Sequence, residues 1–276
     1  MTYKTLMIHL QLRQSNEGVL NIAADLADRF QAGVIGIAAC QPVQIVQGDV
    51  YVSGDLVDQD RKEILKEIRH AEAAFHKALG PRVDLREWRS AVTLASLPGY
   101  LADEARSADL IITGLDRDTS LFDMSRHVDI GDLVMQVGRP VLIVPTTAHA
   151  LKAERIVVGW KDTRESRRAI LDALPLLRRA AQVALVEIAD AADLAAARAR
   201  LADVAAWLKR HGVVAELVAS PSTGDDAARL NAIVRDQDAG LVVIGAYGHS
   251  RLREWAFGGV TRELLLHTDR CLLVSH

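Results

Sequence analysis

The sequence predicts an α/β protein built from two tandem, doubly wound domains. Three observations carry that expectation. Short apolar runs alternate with longer amphipathic stretches, and the same order recurs in the second half. The length of 276 residues is also comfortable for two domains of about 140. Each domain is expected to hold a five-stranded parallel sheet with about four helices.

In the first half, Leu6–Leu10 reads as a buried strand that ends in a loop through Arg13, Gln14 and Ser15. A helix follows, because Val19, Leu20, Ile22, Ala23, Leu26, Ala27 and Phe30 fall on one stripe. Val34–Ala39 is the next strand. A polar connection from Gln41 to Asp58 leads to a helix carrying Ile64, Leu65, Ile68, Ala71, Phe75 and Leu79. Val83–Trp88 is read as strand, Leu97–Arg106 as helix and Leu110–Thr113 as strand. Leu133–Val137 closes a helix, and Val141–Val144 is a last strand bounded by Pro140 and Pro145.

The second half repeats this plan. Ile156–Trp160, Val183–Ile188, Val213–Ala219, Leu241–Ile244 and Leu272–Val274 read as strands. Arg164–Ala180, Asp193–Arg210, Asp225–Arg235 and Val260–Leu266 read as the helices between them. A shift of 131 residues lays Leu110–Ile143 on Leu241–Val274 without a gap, so Gly114 meets Gly245 and Arg139 meets Arg270. Duplication of one domain accounts for the register. The expected boundaries are 1–146 and 153–276, joined by the short linker Thr146–Ala153.

Composition narrows the function. The formal net charge is −3 and the basic residues are spread along helices, so no nucleic-acid partner is expected. Cys40 and Cys271 sit in apolar strands and read as buried, reduced thiols. The start Met1–Ile8 lacks the apolar core of a signal peptide, and the apolar run Leu241–Tyr247 is far short of a membrane span. A cytoplasmic location without membrane contact is the expectation.

Candidate chemistry gathers after Leu241–Ile244. Gly245 and Gly248 stand at the carboxyl end of a strand, where glycine admits positive φ and a close ligand. Gly258 and Gly259 lie where the last helix begins, and its first amides, through Val260 and Thr261, are free to meet an anion. Ser250 and Thr261 add hydroxyls, and His249 adds a ring nitrogen suited to hydrogen bonding a phosphate. Ligands of open α/β sheets lie outside the carboxyl ends of strands, so the location fits a phosphate site. The same glycines would also serve tight turns and close helix packing.

The pattern Gly-x2-Gly-x9-Gly over Gly245–Gly258, between a fourth strand and a last helix, resembles the ATP-binding motif of the universal stress protein family. The element order resembles that family along nearly the whole chain, as a tandem two-domain member of the adenine-nucleotide α-hydrolase-like fold. The resemblance implies an ATP site, with Mg²⁺ as a possible companion ion, in the second domain. It implies a stress-response regulator whose nucleotide state biases assembly or contact with a protein partner. The family motif ends in Gly followed by Ser or Thr, and here that last position is Gly259.

The family also places an acid after its first strand. Aligned on Ser166, Lys161 falls there and Asp162 one place later. Either Asp162 takes the role after a small loop shift or the contact is missing, and Lys161 could instead reach phosphate. Trp160 is read as packing or as a stacking surface, and backbone groups near Val186 and Glu187 would face adenine. The family further implies edge-to-edge pairing of Val141–Val144 with Leu272–Val274 inside the chain, and a possible homodimer.

In the first copy Arg117, His127 and Val128 replace Gly248, Gly258 and Gly259, so ATP binding there in this mode is not expected. Nothing marks a catalytic centre. Gly-Lys-Ser/Thr and Gly-x-Ser-x-Gly are missing, no metal set appears, and His9 reads as a packed histidine. At most weak ATP hydrolysis is expected. A structural or interaction protein with a vestigial glycine loop is the alternative function.

Overall fold

The computed structural model describes residues 2–42, 54–115, 127–246 and 269–276. Two compact units divide the chain, Tyr3–Val137 and Gly138–His276.

The first unit runs β1 (Thr5–His9), α1 (Glu17–Phe30), β2 (Gly33–Cys40), α2 (Gly54–Leu79), β3 (Arg86–Val92), α3 (Leu97–Glu104), β4 (Leu110–Gly114) and α4 (Ile130–Val137). Its strands lie in the order β3-β2-β1-β4, all parallel. The central strands are apolar on both faces, as a parallel sheet covered by helices requires, and every residue of β2 is buried. The stripe of α1 is buried as its spacing predicts. On α2, Ile64, Ile68, Ala71, Phe75 and Leu79 are buried, but Leu65 lies off the stripe and is exposed.

The second unit runs β5 (Val141–Val144), β6 (Arg155–Gly159), α5 (Arg164–Leu177), β7 (Gln182–Ala189), α6 (Leu194–Arg210), β8 (Glu216–Pro221), α7 (Asp226–Asp236), β9 (Leu241–Gly245) and β10 (Cys271–Ser275). The order is β5-β10-β9-β6-β7-β8. Five of these strands are parallel, and β5 joins them antiparallel. Pairing of Leu272 with Ile143 and of Val274 with Val141 is the edge-to-edge contact expected between the last strands. It covers the edge that β10 would otherwise leave open. The helix expected over 260–266 lies outside the described residues.

Two strand boundaries shift, for one shared reason. Val83 and Val213 were expected to open strands, yet each closes the turn after a helix. The Val83 amide donates to the Leu79 carbonyl at 2.9 Å, and the Val213 amide to that of Leu208 at 3.0 Å. Both side chains are buried there, and β3 and β8 begin three residues later. Each is a terminal strand in the order of its unit, where charged residues are tolerated. In β3, Arg89 reaches Glu87 at 2.8 Å and Glu104 at 2.9 Å.

The repeat read from the sequence is visible in the structure. β4 and β9 have the same length and each ends on its glycine, Gly114 and Gly245. The Leu10 amide donates to the Ile37 carbonyl at 2.9 Å, and the Trp160 amide makes the matching bond to Val186 at 2.7 Å.

Candidate nucleotide site

The carboxyl ends of β9, β6 and β7 meet around Gly159, which is level with Ile244 on one side and Val186 on the other. One residue further on, the same register sets Gly245, Trp160 and Glu187 in a row on one face of the sheet. Ser275, level with Gly245 on β10, extends that row.

The turn from β6 into α5 is built by local hydrogen bonds. Thr163 caps α5, its hydroxyl accepting from the Ser166 amide at 3.3 Å, as a β-hydroxyl at an N-cap does. The Ser166 hydroxyl accepts from the Lys161 amide at 3.3 Å, which closes the turn. The Lys161 side chain is exposed. Asp162 pairs with Arg167 at 2.5 Å, so its carboxylate is engaged with its own helix.

Gly245 is fixed by packing. A Cβ there would stand 2.5 Å from both the Glu165 carbonyl carbon and the Ser166 amide nitrogen. Only a residue without a side chain lets the first turn of α5 lie on the end of β9. Glu165 is buried at that contact. Burial raises its carboxyl, but hydrogen bonds from Arg164, its own backbone and Thr163 outweigh this and hold it below the usual range.

Trp160 and Val186 are buried, and both backbones belong to the ladder. Gly248, His249, Ser250, Gly258, Gly259, Val260 and Thr261 lie outside the described residues.

A charged pair that sequence reasoning missed stands beside these groups. Glu187 is 4% exposed and accepts at Oε1 from Arg200 of α6, with Nε 2.9 Å away and Nη2 also bonded. Glu187 is the chief cause of the raised pKa of Arg200, with smaller contributions from Asp162 and Asp193. The signal in sequence was one carboxylate within the apolar run Val183–Ala189. Three polar atoms of the row are buried without a hydrogen-bond partner among the described residues: Trp160 Nε1, Glu187 Oε2 and Ser275 Oγ.

At the equivalent end of its sheet the first unit carries polar side chains that bond one another. His9 is buried, its Nδ1 2.9 Å from Thr113 Oγ1, and burial pushes its pKa down to about 4. Gln11 Nε2 donates to the Gly114 carbonyl at 3.3 Å, and the Gln11 amide donates to Asn16 Oδ1 at 2.9 Å. Val128 is buried. A cleft of about 680 Å³ opens beside this network, bordered by Gln11, Asn16, Arg13, Glu67, His70 and Lys77. Cys40 and Cys271 are buried cysteines outside any disulfide, and burial pushes the Cys271 pKa up to about 12. Among the described residues no group of acids, histidines or cysteines is placed to hold a metal, and no helix is long and apolar enough to cross a membrane.

The architecture defines an α/β protein with mostly parallel, helix-covered sheets. It matches a universal stress protein from Archaeoglobus fulgidus DSM 4304 with a TM-score of 0.77 at 12% identity, over 98% of this chain and 95% of that one. It also matches a protein of unknown function from Pseudomonas aeruginosa PAO1 with a TM-score of 0.62 at 15% identity, over 99% of this chain and 92% of that one. At such identities these similarities establish the fold. No curated protein matches the chain. Residues 152–276 match the model of the universal stress protein family. That match falls within the second unit of the chain.

Proposed function

We infer that the second domain binds an adenine nucleotide, ATP with Mg²⁺, beyond the carboxyl ends of β6, β7 and β9. The nucleotide then biases assembly or contact with a protein partner in a stress response. The observation that carries this reading is the extent of the family match, residues 152–276, which contains the whole Gly245–Thr261 stretch. The site residues are Gly245, Gly248, His249, Ser250, Gly258, Gly259, Val260 and Thr261 toward the phosphates. Trp160, Lys161, Asp162 and Val186 lie toward the nucleoside. The first domain takes no ATP in this mode, a reading supported by Val128, which stands where the second domain has Gly259, and by the His9–Thr113 and Gln11–Gly114 contacts at its sheet end.

Thermal unfolding with and without ATP·Mg²⁺ tests the reading. A ligand bound only to the native state at 100 times its Kd adds about 2.7 kcal/mol. A rise in Tm at millimolar ATP is expected, and an unchanged Tm contradicts nucleotide binding.

One observation favours a second reading, an interaction protein of the same fold without nucleotide. Gly245 is required by the packing of α5 whether or not a phosphate approaches. Under that reading ATP leaves both the Tm and the oligomeric state unchanged.

A further inference from the structure

Two buried atoms at the end of the second sheet are chemically complementary, and neither has a hydrogen-bond partner among the described residues. Trp160 Nε1 only donates, and the Glu187 carboxylate only accepts. Trp160 is 7% exposed and Glu187 4%, yet Trp160 Nε1 and Glu187 Oε2 are both unpartnered. Buried polar groups are nearly always hydrogen bonded, because one left unpaired carries its full desolvation cost.

The pair is placed as a reading head would be. Gly159 is level with Val186 and the Trp160 amide donates to the Val186 carbonyl at 2.7 Å, so Trp160, the residue that follows β6, continues the register to the level of Glu187 on β7. They lie at the carboxyl ends, where open α/β sheets receive ligands. Arg200 occupies Oε1 with two nitrogens, which fixes the carboxylate and leaves Oε2 without a partner among the described residues.

We propose that Trp160 Nε1 and Glu187 Oε2 together recognise the base edge of the bound nucleotide. The indole N–H donates to a ring nitrogen, and Oε2 accepts from the exocyclic amino group of adenine. This rests on the nucleotide reading given above and assigns base selection to two side chains. A 6-oxo purine presents a carbonyl where adenine has its amino group, and that carbonyl would face Oε2 acceptor to acceptor.

The Arg200 contact makes the test sharp. In E187Q the guanidinium still requires an acceptor, so the amide oxygen turns to Arg200 and the amide NH₂ takes the place of Oε2. The variant therefore presents two donors. Calorimetric titrations of the full chain with ATP and with ITP, at fixed Mg²⁺, are run on wild type, E187Q and W160F. Wild type is expected to prefer ATP by about tenfold, the scale of one hydrogen bond to a charged group. E187Q is expected to lose or invert that preference, and W160F to weaken ATP by about tenfold while remaining folded. Equal binding of ATP and ITP by wild type overturns the proposal and leaves nucleotide binding standing. So does a wild-type ratio retained in both variants. Failure of wild type to bind either nucleotide overturns the proposal and the nucleotide reading together.

Discussion

Gly245 and Ser166 are so close that a single added carbon at the glycine would lie 2.5 Å from the Ser166 amide nitrogen. The glycine motif thus begins with a residue whose first duty is to seat α5, and that seat shapes the turn carrying Trp160, Lys161 and Asp162. Gly245→Ala is expected to destabilise the protein by about 3 kcal/mol, since backbone must move to admit the methyl group. At Gly114 the same carbon would meet the flexible end of Gln11 at 3.0 Å. Gly114→Ala should therefore stay within about 1 kcal/mol of wild type. Urea unfolding of the two variants measures the difference.

Removing Arg200 should cost more than neutralising Glu187. The Glu187 side chain is 5% exposed, whereas that of Arg200 is 34% exposed and can turn to water. Arg200→Met leaves a buried carboxylate without its counter-ion and should be the more destabilising of the two changes. Glu187→Gln keeps an acceptor for Arg200 and should cost about 1 kcal/mol. Chemical denaturation at pH 7 distinguishes the two.

Acid should act on the first unit through His9. Burial lowers its pKa from 6.5 to about 4, so the native state holds it neutral while the unfolded chain takes up a proton. Its contribution is therefore intact above pH 6.5 and is lost as the pH falls toward 4. The slope is about 1.4 kcal/mol per pH unit and the total about 3 kcal/mol. His9→Gln keeps a polar group near Thr113 and does not titrate. Its stability between pH 6.5 and 4 should fall less steeply than that of wild type.

Much of the fold was legible because parallel strands covered on both faces leave continuous apolar runs. Leu110–Gly114 and Leu241–Gly245 are matched in sequence and in structure for that reason. Val83 and Val213 misled, since a buried valine that closes a helix turn has the same composition as one that starts a strand. Of the candidate site, the glycine spacing singled out Gly245, which ends β9. Glu187 was not legible, because its partner Arg200 is brought to it by α6 from a different element. The packing duty of Gly245 was equally hidden, for its contact with Ser166 exists only once α5 crosses β9.

The central claim is one adenine-nucleotide site per chain, in the second domain. Isothermal titration of the full chain with ATP·Mg²⁺ tests it most directly, with Gly248→Val beside wild type. One ATP bound per chain is expected in wild type and none in Gly248→Val. Two equivalents per chain, none at all, or a stoichiometry unchanged by Gly248→Val would contradict it.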